Sequence, residues 1–249
     1  MSVLNVDKFQ PGLSVDCVIL GFHHNELKIL LLKLKDLERW ALPGGFVEKE
    51  EDVDKAAVRI LRERTGLKNI FLQQFHLFGN VDRNEEAYAD ILLEKGIVDK
   101  ELYDWLDQRF VTVGYYALVE YSRVEAPTPD YFSESCEWCS LSNLPNLWLD
   151  HGRILEKAHE TLKRQLNYQP IGLNLLPPRF TMPELQALYE TILGKTLDRR
   201  NFQRKMMGYG ILIRTGERRT GGAHKSPWLY EFDEEKYRQG LADGLNAGW

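Results

Sequence analysis

The chain has 249 residues, of which 43% are hydrophobic and 28% are charged, a composition typical of a globular protein with a sizeable core. No apolar run approaches about 18 residues, and the first residues carry neither a basic start nor an apolar stretch, so we expect no transmembrane helix and no secretory signal. The three cysteines, Cys17, Cys136 and Cys139, are too few for a disulfide scaffold or a four-cysteine metal site and favour a cytoplasmic location.

The net charge of −5 is unevenly distributed along the chain. Residues 170–249 carry 12 Lys/Arg and 9 Asp/Glu, a net charge of +3, whereas residues 1–169 have a net charge of −8. A basic C-terminal part on an acidic body indicates an acidic partner for that part, such as nucleic acid.

Strands and helices are predicted over most of the first 166 residues. β-rich segments predict strands over 13–22, 27–34, 40–47, 70–83, 109–121 and 136–141. Helical periodicity and helix end signals predict helices over 51–66 and 152–166. Residues 84–108 have helical spacing between two predicted strands, and we interpret them as an insertion.

A second domain is predicted after a proline-containing segment over 167–180, so the boundaries are 1–167 and 168–249. Thr181, followed three residues later by Glu184, has the pattern of a capping box at a helix start. A second, basic helix is predicted from Asp198 to near Gly208. Residues 211–232 then predict a strand, a glycine-rich basic loop and a strand, which is the order of a winged helix-turn-helix.

The segment GGFVEKEEDVDKAAVRILRERTGL, residues 44–67, resembles the Nudix box G-x5-E-x7-R-E-U-x-E-E-x-G-U. The residues that match are Gly45, Glu51, Arg59, Glu63, Gly66 and Leu67. The resemblance implies an α+β protein with a Nudix-type α/β/α sandwich and a mixed sheet. In that family the loop and helix bind a divalent metal against a nucleoside diphosphate-linked substrate.

The box departs from the family pattern where its metal-binding carboxylates are expected. The three glutamate positions of the R-E-U-x-E-E segment are occupied here by Ile60, Glu63 and Arg64. A hydrocarbon and a fixed positive charge replace oxygen ligands, so we predict no catalytic residues, no metal site, no cofactor and no enzyme activity. Glu63 is predicted to pair with Arg59 instead. The domain is thus interpreted as a pocket that binds a ligand without cleaving it.

A degenerate Nudix domain followed by a winged helix resembles the Nudix-related transcriptional regulators. The segment IGLNLLPPRFTMPELQALYETILGKTLDRRNFQRKM, residues 171–206, is similar to their arabinose-type, sugar-responsive branch. This resemblance implies a homodimeric repressor of sugar catabolism that L-arabinose or a related sugar releases from its operator. The alternatives are a Nudix hydrolase acting on ADP-ribose or another nucleoside diphosphate derivative, a regulator sensing ADP-ribose to control NAD metabolism, and a structural adaptor.

Double-stranded DNA is the predicted partner of the basic second helix. Phe202 and Met206 are four residues apart and should pack inward, which leaves Arg199, Arg200 and their neighbours to face a groove. The predicted DNA-binding residues are Arg179, Thr181, Arg199, Arg200, Asn201, Gln203, Arg204, Lys205, Arg218, Arg219, His224 and Lys225.

The effector is expected over the sheet beside the Nudix box, as the Nudix resemblance implies. Side chains there would supply an aromatic face and hydrogen bonds to hydroxyl groups. The residues chosen are Asp16, Lys33, Trp40, Phe46, Asp82, Arg83 and Tyr115. The insertion 84–108 is predicted to cover this pocket or to enlarge a dimer contact. Because Asp16 and Asp82 are acidic, a neutral sugar is the preferred ligand at this point.

Overall fold

The computed structural model describes residues 4–68, 70–83, 88–124, 126–166, 168–220 and 226–244. The chain folds as two compact units. The first comprises Met1–Leu20, Lys28–Leu118 and Ser122–Ala158, and the second Gly21–Leu27, Val119–Tyr121 and His159–Trp249. The predicted domain boundary falls at Asn167, which lies outside the described residues.

A seven-stranded mixed sheet forms the centre of the first unit. The strands are β1 (Phe9–His23), β2 (Glu26–Leu34), β3 (Trp40–Ala41), β4 (Gly44–Glu48), β5 (Phe71–Phe78), β6 (Val111–Leu118) and β7 (Ser133–Ser140). Their order is β3-β2-β1-β6-β5, with β4 pairing with β1 and β7 pairing with β2. β1 and β6 run parallel, from Leu13 opposite Val111 to Leu20 opposite Leu118, and β5 pairs antiparallel with β6.

The central strands are rich in apolar residues because they are buried along most of their length. Along β1, every residue from Val15 to Leu20 except Asp16 is apolar, and all six are buried. Strands that are covered on both faces are rich in Val, Ile and Leu and do not alternate apolar with polar residues. The single polar exception, Asp16, is a buried carboxylate and therefore requires polar partners.

Among the described residues, the α-helices that lie wholly or partly in the first unit are α1 (Val53–Thr65), α2 (Tyr88–Glu94), α3 (Lys100–Leu106) and α4 (His151–Gln165). α1 ends at Gly66, whose φ of 70° is left-handed and whose N–H donates to the Arg62 carbonyl at 2.8 Å. Glycine adopts this conformation without a Cβ clash, which explains the glycine at this end. In the predicted insertion, α2 and α3 form an apolar cluster with Trp148, while residues 84–87 lie outside the described part of the chain.

In the described part of the second unit, the elements are β8 (Phe180–Thr181), α5 (Met182–Leu193), α6 (Arg199–Gly208), β9 (Leu212–Arg218), β10 (Trp228–Phe232) and α7 (Glu234–Asp243). The strands form a three-stranded sheet in the order β8-β10-β9. Thr181 caps α5 and forms the predicted capping box, because its backbone N–H donates to the Glu184 carboxylate at 2.7 Å. Helix α7, whose N-cap is Asp233, was not predicted from the sequence.

Among the described residues, no helix combines the length and apolar character that a membrane crossing requires.

Candidate ligand cavity and nucleic-acid interface

A cavity of about 360 Å³ lies in the first unit, beside β1, β4 and α1. This volume is in the range of small-ligand sites, which are mostly apolar with a few placed polar groups. Its apolar walls include Phe9, Phe46, Phe110, Phe132 and Trp148, and its polar lining includes Asp16, Arg59, Glu63, Arg64, Arg83, Asp130 and His151. The described part of the insertion contributes Leu92 and Leu106 to the wall.

Buried Arg83 is the centre of a charge cluster in the cavity. Its Nε and Nη2 donate to the Asp150 carboxylate at 3.2 and 3.0 Å, and its Nη1 donates to the Phe110 carbonyl at 3.3 Å. Asp16 Oδ2 lies 3.7 Å from Arg83 Nη2. A buried guanidinium that has two bonds to a carboxylate is held in one orientation, so this cluster is a rigid feature of the site.

His151 extends the cluster in a defined tautomer. The backbone N–H of Leu42 donates to His151 Nδ1 at 2.9 Å, so the proton of the neutral ring is on Nε2. Nε2 faces Asp16 Oδ1 at 3.7 Å. Burial lowers the pKa of His151, and this effect exceeds the opposing effect of the nearby Asp16 and Asp150 carboxylates. A neutral imidazole with one N–H is thus available at the cavity wall.

Gly44 allows the backbone of β4 to approach this cluster closely. A Cβ at Gly44 would lie 2.5 Å from Asp16 Oδ1 and 2.9 Å from the Val15 carbonyl oxygen. The next residue, Gly45, packs against Ile60, whose Cδ1 would be 3.1 Å from an added Cβ. The two glycines therefore let β4 lie against Asp16 on one side and against α1 on the other.

The Nudix-box residues make structural contacts around Arg59. Its Nε and Nη2 donate to the Glu51 carboxylate at 2.9 and 2.7 Å, and Nη2 also donates to the Phe46 carbonyl at 2.9 Å. The hydrogen bond from Arg59 lowers the pKa of Glu51. The predicted pair of Arg59 with Glu63 is present but longer, with Nη1 and Oε1 3.8 Å apart. Glu51 is therefore the principal partner.

The divalent metal of the family pattern does not fit the residues present here. Ile60 and Arg64 both line the cavity at positions where the box has carboxylates, and Glu51 is bonded to Arg59. Within the described part of the chain, no group of three or more His, Cys, Asp or Glu residues is placed to hold a metal ion. Mg²⁺ requires several oxygen ligands in octahedral geometry, and this wall does not supply them.

The predicted effector residues separate into two groups. Asp16, Phe46 and Arg83 line the cavity together. Of the other four, Lys33 pairs with Glu134 at 2.6 Å, Asp82 is exposed, and the Tyr115 hydroxyl donates to Asp54 of α1. Trp40 is not among the residues that line the cavity, but its backbone carbonyl accepts from the N–H of the lining residue Trp148 at 2.8 Å.

Several residues of the site had no separate signal in the sequence. Asp150, which binds Arg83, and the lining residue His151 lie in a segment interpreted only as a turn, PNLWLDH, and the lining residue Trp148 precedes them. Two adjacent polar residues after an apolar WL pair, directly before an amphipathic helix, are the available signal. Phe110 is the second residue of the predicted strand 109–121. Its place in the cavity wall depends on tertiary packing, with its ring centroid 5.4 Å from that of Phe46 and 5.0 Å from that of Trp105.

In the second unit, α6 presents a basic exposed face. Phe202 and Met206 are buried, as the sequence predicts, and pack with α5, where the Phe202 and Tyr189 ring centroids are 5.4 Å apart. Lys205 is half-buried, and burial lowers its pKa. The exposed side chains of the first two turns are Arg199, Arg200, Asn201, Gln203 and Arg204. Arg and Asn side chains of this kind can pair with guanine and adenine edges in a major groove.

The other predicted DNA-binding residues have partners within the unit. Arg179 donates to the Glu217 carboxylate at 3.0 and 2.8 Å, and Arg219 donates to that of Glu184 at 2.8 and 2.7 Å. The Thr181 side chain is engaged as the cap of α5. His224 and Lys225 lie outside the described residues, and Arg218 is part of the β9–β10 hairpin.

The β9–β10 hairpin carries an arginine stack that the sequence interpretation included only in part. The guanidinium carbons of Arg214 and Arg218 lie 3.6 and 3.9 Å from the Trp228 ring centroid. Two guanidinium groups this close to one centroid would collide on the same side, so they stack on opposite faces of the indole. Arg218 Nη1 also donates to the Ser226 carbonyl at 2.9 Å. Trp228 therefore holds two exposed arginines in fixed positions on the hairpin.

The fold defines a Nudix-type domain that contains a cavity, joined to a winged helix-turn-helix domain. Two family models match the chain accordingly: NUDIX domain over residues 10–158, and NrtR DNA-binding winged helix domain over residues 172–232. The chain belongs to the Nudix family and, by its second domain, to the NrtR-type regulators within it.

Individual relatives agree with this assignment. The ADPR responsive transcriptional repressor NtrR of Acinetobacter baylyi is 31% identical over 91% of this chain and 84% of its own length. A crystal structure of Shewanella oneidensis NrtR complexed with a 27mer DNA is similar with a TM-score of 0.75 and 26% identity, over 95% of this chain and 99% of that chain. An ADP-ribose pyrophosphatase of Methanocaldococcus jannaschii is 28% identical over 59% of this chain and 72% of its own length.

The prediction of an arabinose-type regulator of sugar catabolism is wrong. A relative matched across most of the chain is an ADPR responsive transcriptional repressor, and the matched winged helix is of the NrtR type. The misleading signal was the segment 171–206, none of which lines the cavity. Residues 171–206 lie in the second unit and include the basic helix α6. The segment therefore indicates the architecture of the DNA-binding domain and does not identify the effector.

Proposed function

We propose that this protein is a transcriptional repressor whose winged helix domain binds duplex DNA and whose Nudix domain binds ADP-ribose, which weakens DNA binding. The observation that carries the proposal is the similarity to an ADPR responsive transcriptional repressor over 91% of the chain, so that both domains are matched together. The active species is a homodimer, as the Nudix-related regulators imply, and sedimentation equilibrium measures this directly.

The cavity has groups suited to each part of ADP-ribose. Aromatic rings of Phe9, Phe46 and Phe110 offer stacking surfaces for adenine. Asp16 and the N–H of His151 offer an acceptor and a donor for ribose hydroxyls. Arginines in the wall offer charge-assisted hydrogen bonds to the diphosphate. These groups support the ligand assignment together with the similarity.

The domain is inferred to bind its ligand without cleaving it. Hydrolysis of a diphosphate in this family pattern depends on a metal held by carboxylates, and Ile60 and Arg64 replace two of them. The similarity to an ADP-ribose pyrophosphatase favours the competing function, a working hydrolase. One experiment addresses both functions.

A duplex is first selected from a random-sequence pool with the full chain, and its binding is followed by fluorescence anisotropy. We expect added ADP-ribose to release the duplex, and chromatography to recover the nucleotide intact after incubation with Mg²⁺. The Arg200→Ala variant should bind the duplex at least about tenfold more weakly at an unchanged melting temperature. Consumption of ADP-ribose would support the hydrolase, and a duplex indifferent to ADP-ribose would exclude the proposed sensor.

A further inference from the structure

Arg64 is the arginine of the cavity wall whose charge is least compensated by the described residues. Arg59 has two bonds to Glu51, and Arg83 has two to Asp150. Arg64, by contrast, approaches a carboxylate only at 3.4 Å, from Nη2 to Glu63, whose side chain is 47% exposed. Its Nε is buried without a hydrogen-bond partner among the described residues, although the residue is only 9% exposed. A buried cation in this state favours an anionic ligand.

The position of Arg64 on α1 defines what kind of anion it can meet. Ile60 and Arg64 are one helical turn apart and both line the cavity, together with Gly45 of β4, which packs against Ile60. In the box pattern these two positions would hold carboxylates and so a cation. A guanidinium at the same place is itself the cation, and its planar donors match phosphate oxygens.

We propose that Arg64 takes the place of the divalent cation, so that the cavity binds the diphosphate of its ligand directly and without metal. The inference rests on the proposed function, because it assigns the diphosphate subsite of that same cavity. The ligand class is a nucleoside diphosphate ester, and Arg64 is a residue that touches it.

Arg64 also has a structural contact that the test must separate from ligand binding. Its Nη1 donates to the Thr128 carbonyl at 3.1 Å, and the Thr128 N–H donates to the Arg64 carbonyl at 3.0 Å. These bonds hold the segment that leads to Asp130 and Tyr131 of the cavity wall. Arg64→Gln keeps a donor for Thr128 and removes the charge, whereas Arg64→Lys keeps the charge. Arg62→Gln removes an exposed charge of the same helix, outside the cavity lining, and is the matched control.

The first measurement is calorimetric titration of the wild-type chain with ADP-ribose, once with Mg²⁺ and once with EDTA. The proposal expects the same dissociation constant in both, within about twofold. A requirement for Mg²⁺ would overturn the role of Arg64 and leave the ADP-ribose sensor standing. An absence of binding under both conditions would instead remove the proposed function itself.

The variants then test the residue. We expect Arg64→Gln to weaken ADP-ribose binding by about tenfold or more, the loss typical of a charge-assisted bond, while Arg64→Lys retains part of the affinity and Arg62→Gln all of it. Wild-type affinity in Arg64→Gln, at an unchanged melting temperature, would overturn the proposal.

A reversed variant distinguishes charge replacement from any effect on folding. Ile60→Glu combined with Arg64→Glu restores carboxylates beside Glu63 on one face of α1. This double variant should bind ADP-ribose only when Mg²⁺ is present, because the metal then has oxygen ligands again. Binding that remains independent of Mg²⁺ in the double variant would contradict the proposal, since Arg64, the cation assigned to the diphosphate, is then absent.

Discussion

His151 shows how one buried side chain links the stability of the first unit to pH. Its Nδ1 accepts from the Leu42 N–H, and the groups facing it are Asp16, Asp150 and Arg83. Burial lowers the pKa of His151 below its ordinary value of 6.5, although both carboxylates oppose this shift. The folded chain therefore takes up the proton at a lower pH than the unfolded chain does.

The sign of the pH dependence follows from this difference. Below about pH 6.5 the unfolded imidazole is protonated while the folded one is not, so the free energy of unfolding decreases as the pH falls, by up to about 1.4 kcal/mol per pH unit for one proton. This loss ends once the pH passes below the folded pKa. Between about pH 6.5 and 5, we expect the melting temperature of His151→Asn to decrease less than that of the wild-type chain.

The His151→Asn substitution is suitable because the carbonyl of the introduced asparagine can accept from the Leu42 N–H in place of Nδ1. His76→Asn, which removes an exposed imidazole of β5, controls for the loss of one histidine. An equal pH dependence of the melting temperature in the wild-type chain and in His151→Asn would show that the pKa of His151 does not differ between the folded and unfolded states.

At the scale of elements, the β9–β10 hairpin is organised around Trp228. Arg214 and Arg218 stack on the two faces of its ring, so their guanidinium groups are held in place before any DNA is bound. Each exposed cation–π contact is worth about 0.5–1 kcal/mol, enough to order a long side chain that would otherwise sample many rotamers. A preorganised pair of cations loses less entropy when it meets phosphates.

We therefore expect Trp228→Leu to weaken duplex binding and to reduce the slope of its salt dependence by about 1–2 phosphate contacts. Trp228→Phe keeps an aromatic face and should retain most of both. The measurement is the anisotropy titration repeated at several salt concentrations. An unaltered slope in Trp228→Leu would mean that the two arginines do not contact phosphates through this stack.

At the scale of the whole molecule, the proposed switch is a coupling between two sites in different units. If ADP-ribose lowers the affinity for duplex by some factor, the duplex must lower the affinity for ADP-ribose by the same factor. This equality holds for any structural mechanism that couples the two sites, because it follows from the closed thermodynamic cycle of the binding equilibria.

The corresponding prediction is that the ADP-ribose dissociation constant, measured by calorimetry on the protein saturated with duplex, exceeds that of the free protein by this factor. A coupling of about 1–3 kcal/mol, or roughly 5- to 150-fold, is the usual range. A duplex that leaves the ADP-ribose affinity unchanged, while ADP-ribose still removes the duplex, would show that the release is not an equilibrium effect.

Local patterns in the sequence determined a large part of the structure. The box spacing over 44–67 predicts the β4 strand, the turn and α1, because a loop and a helix of this kind are set by residues close in sequence. The Thr181–Glu184 capping box and the buried pair Phe202 and Met206 follow from spacing along single helices. The exposed basic face of α6 follows from the same periodicity.

Which residues come together at the cavity depends on the tertiary structure. Arg83 and Asp150 are 67 residues apart in sequence, and His151 lies 109 residues from Leu42, so no local period could pair them. Tyr115 and Asp16 lie on neighbouring strands, yet only the three-dimensional fold shows that Tyr115 bonds to Asp54 of α1 while Asp16 lines the cavity. Periodicity specifies which face of an element is apolar, but contacts between distant elements depend on how the sheet and helices pack together.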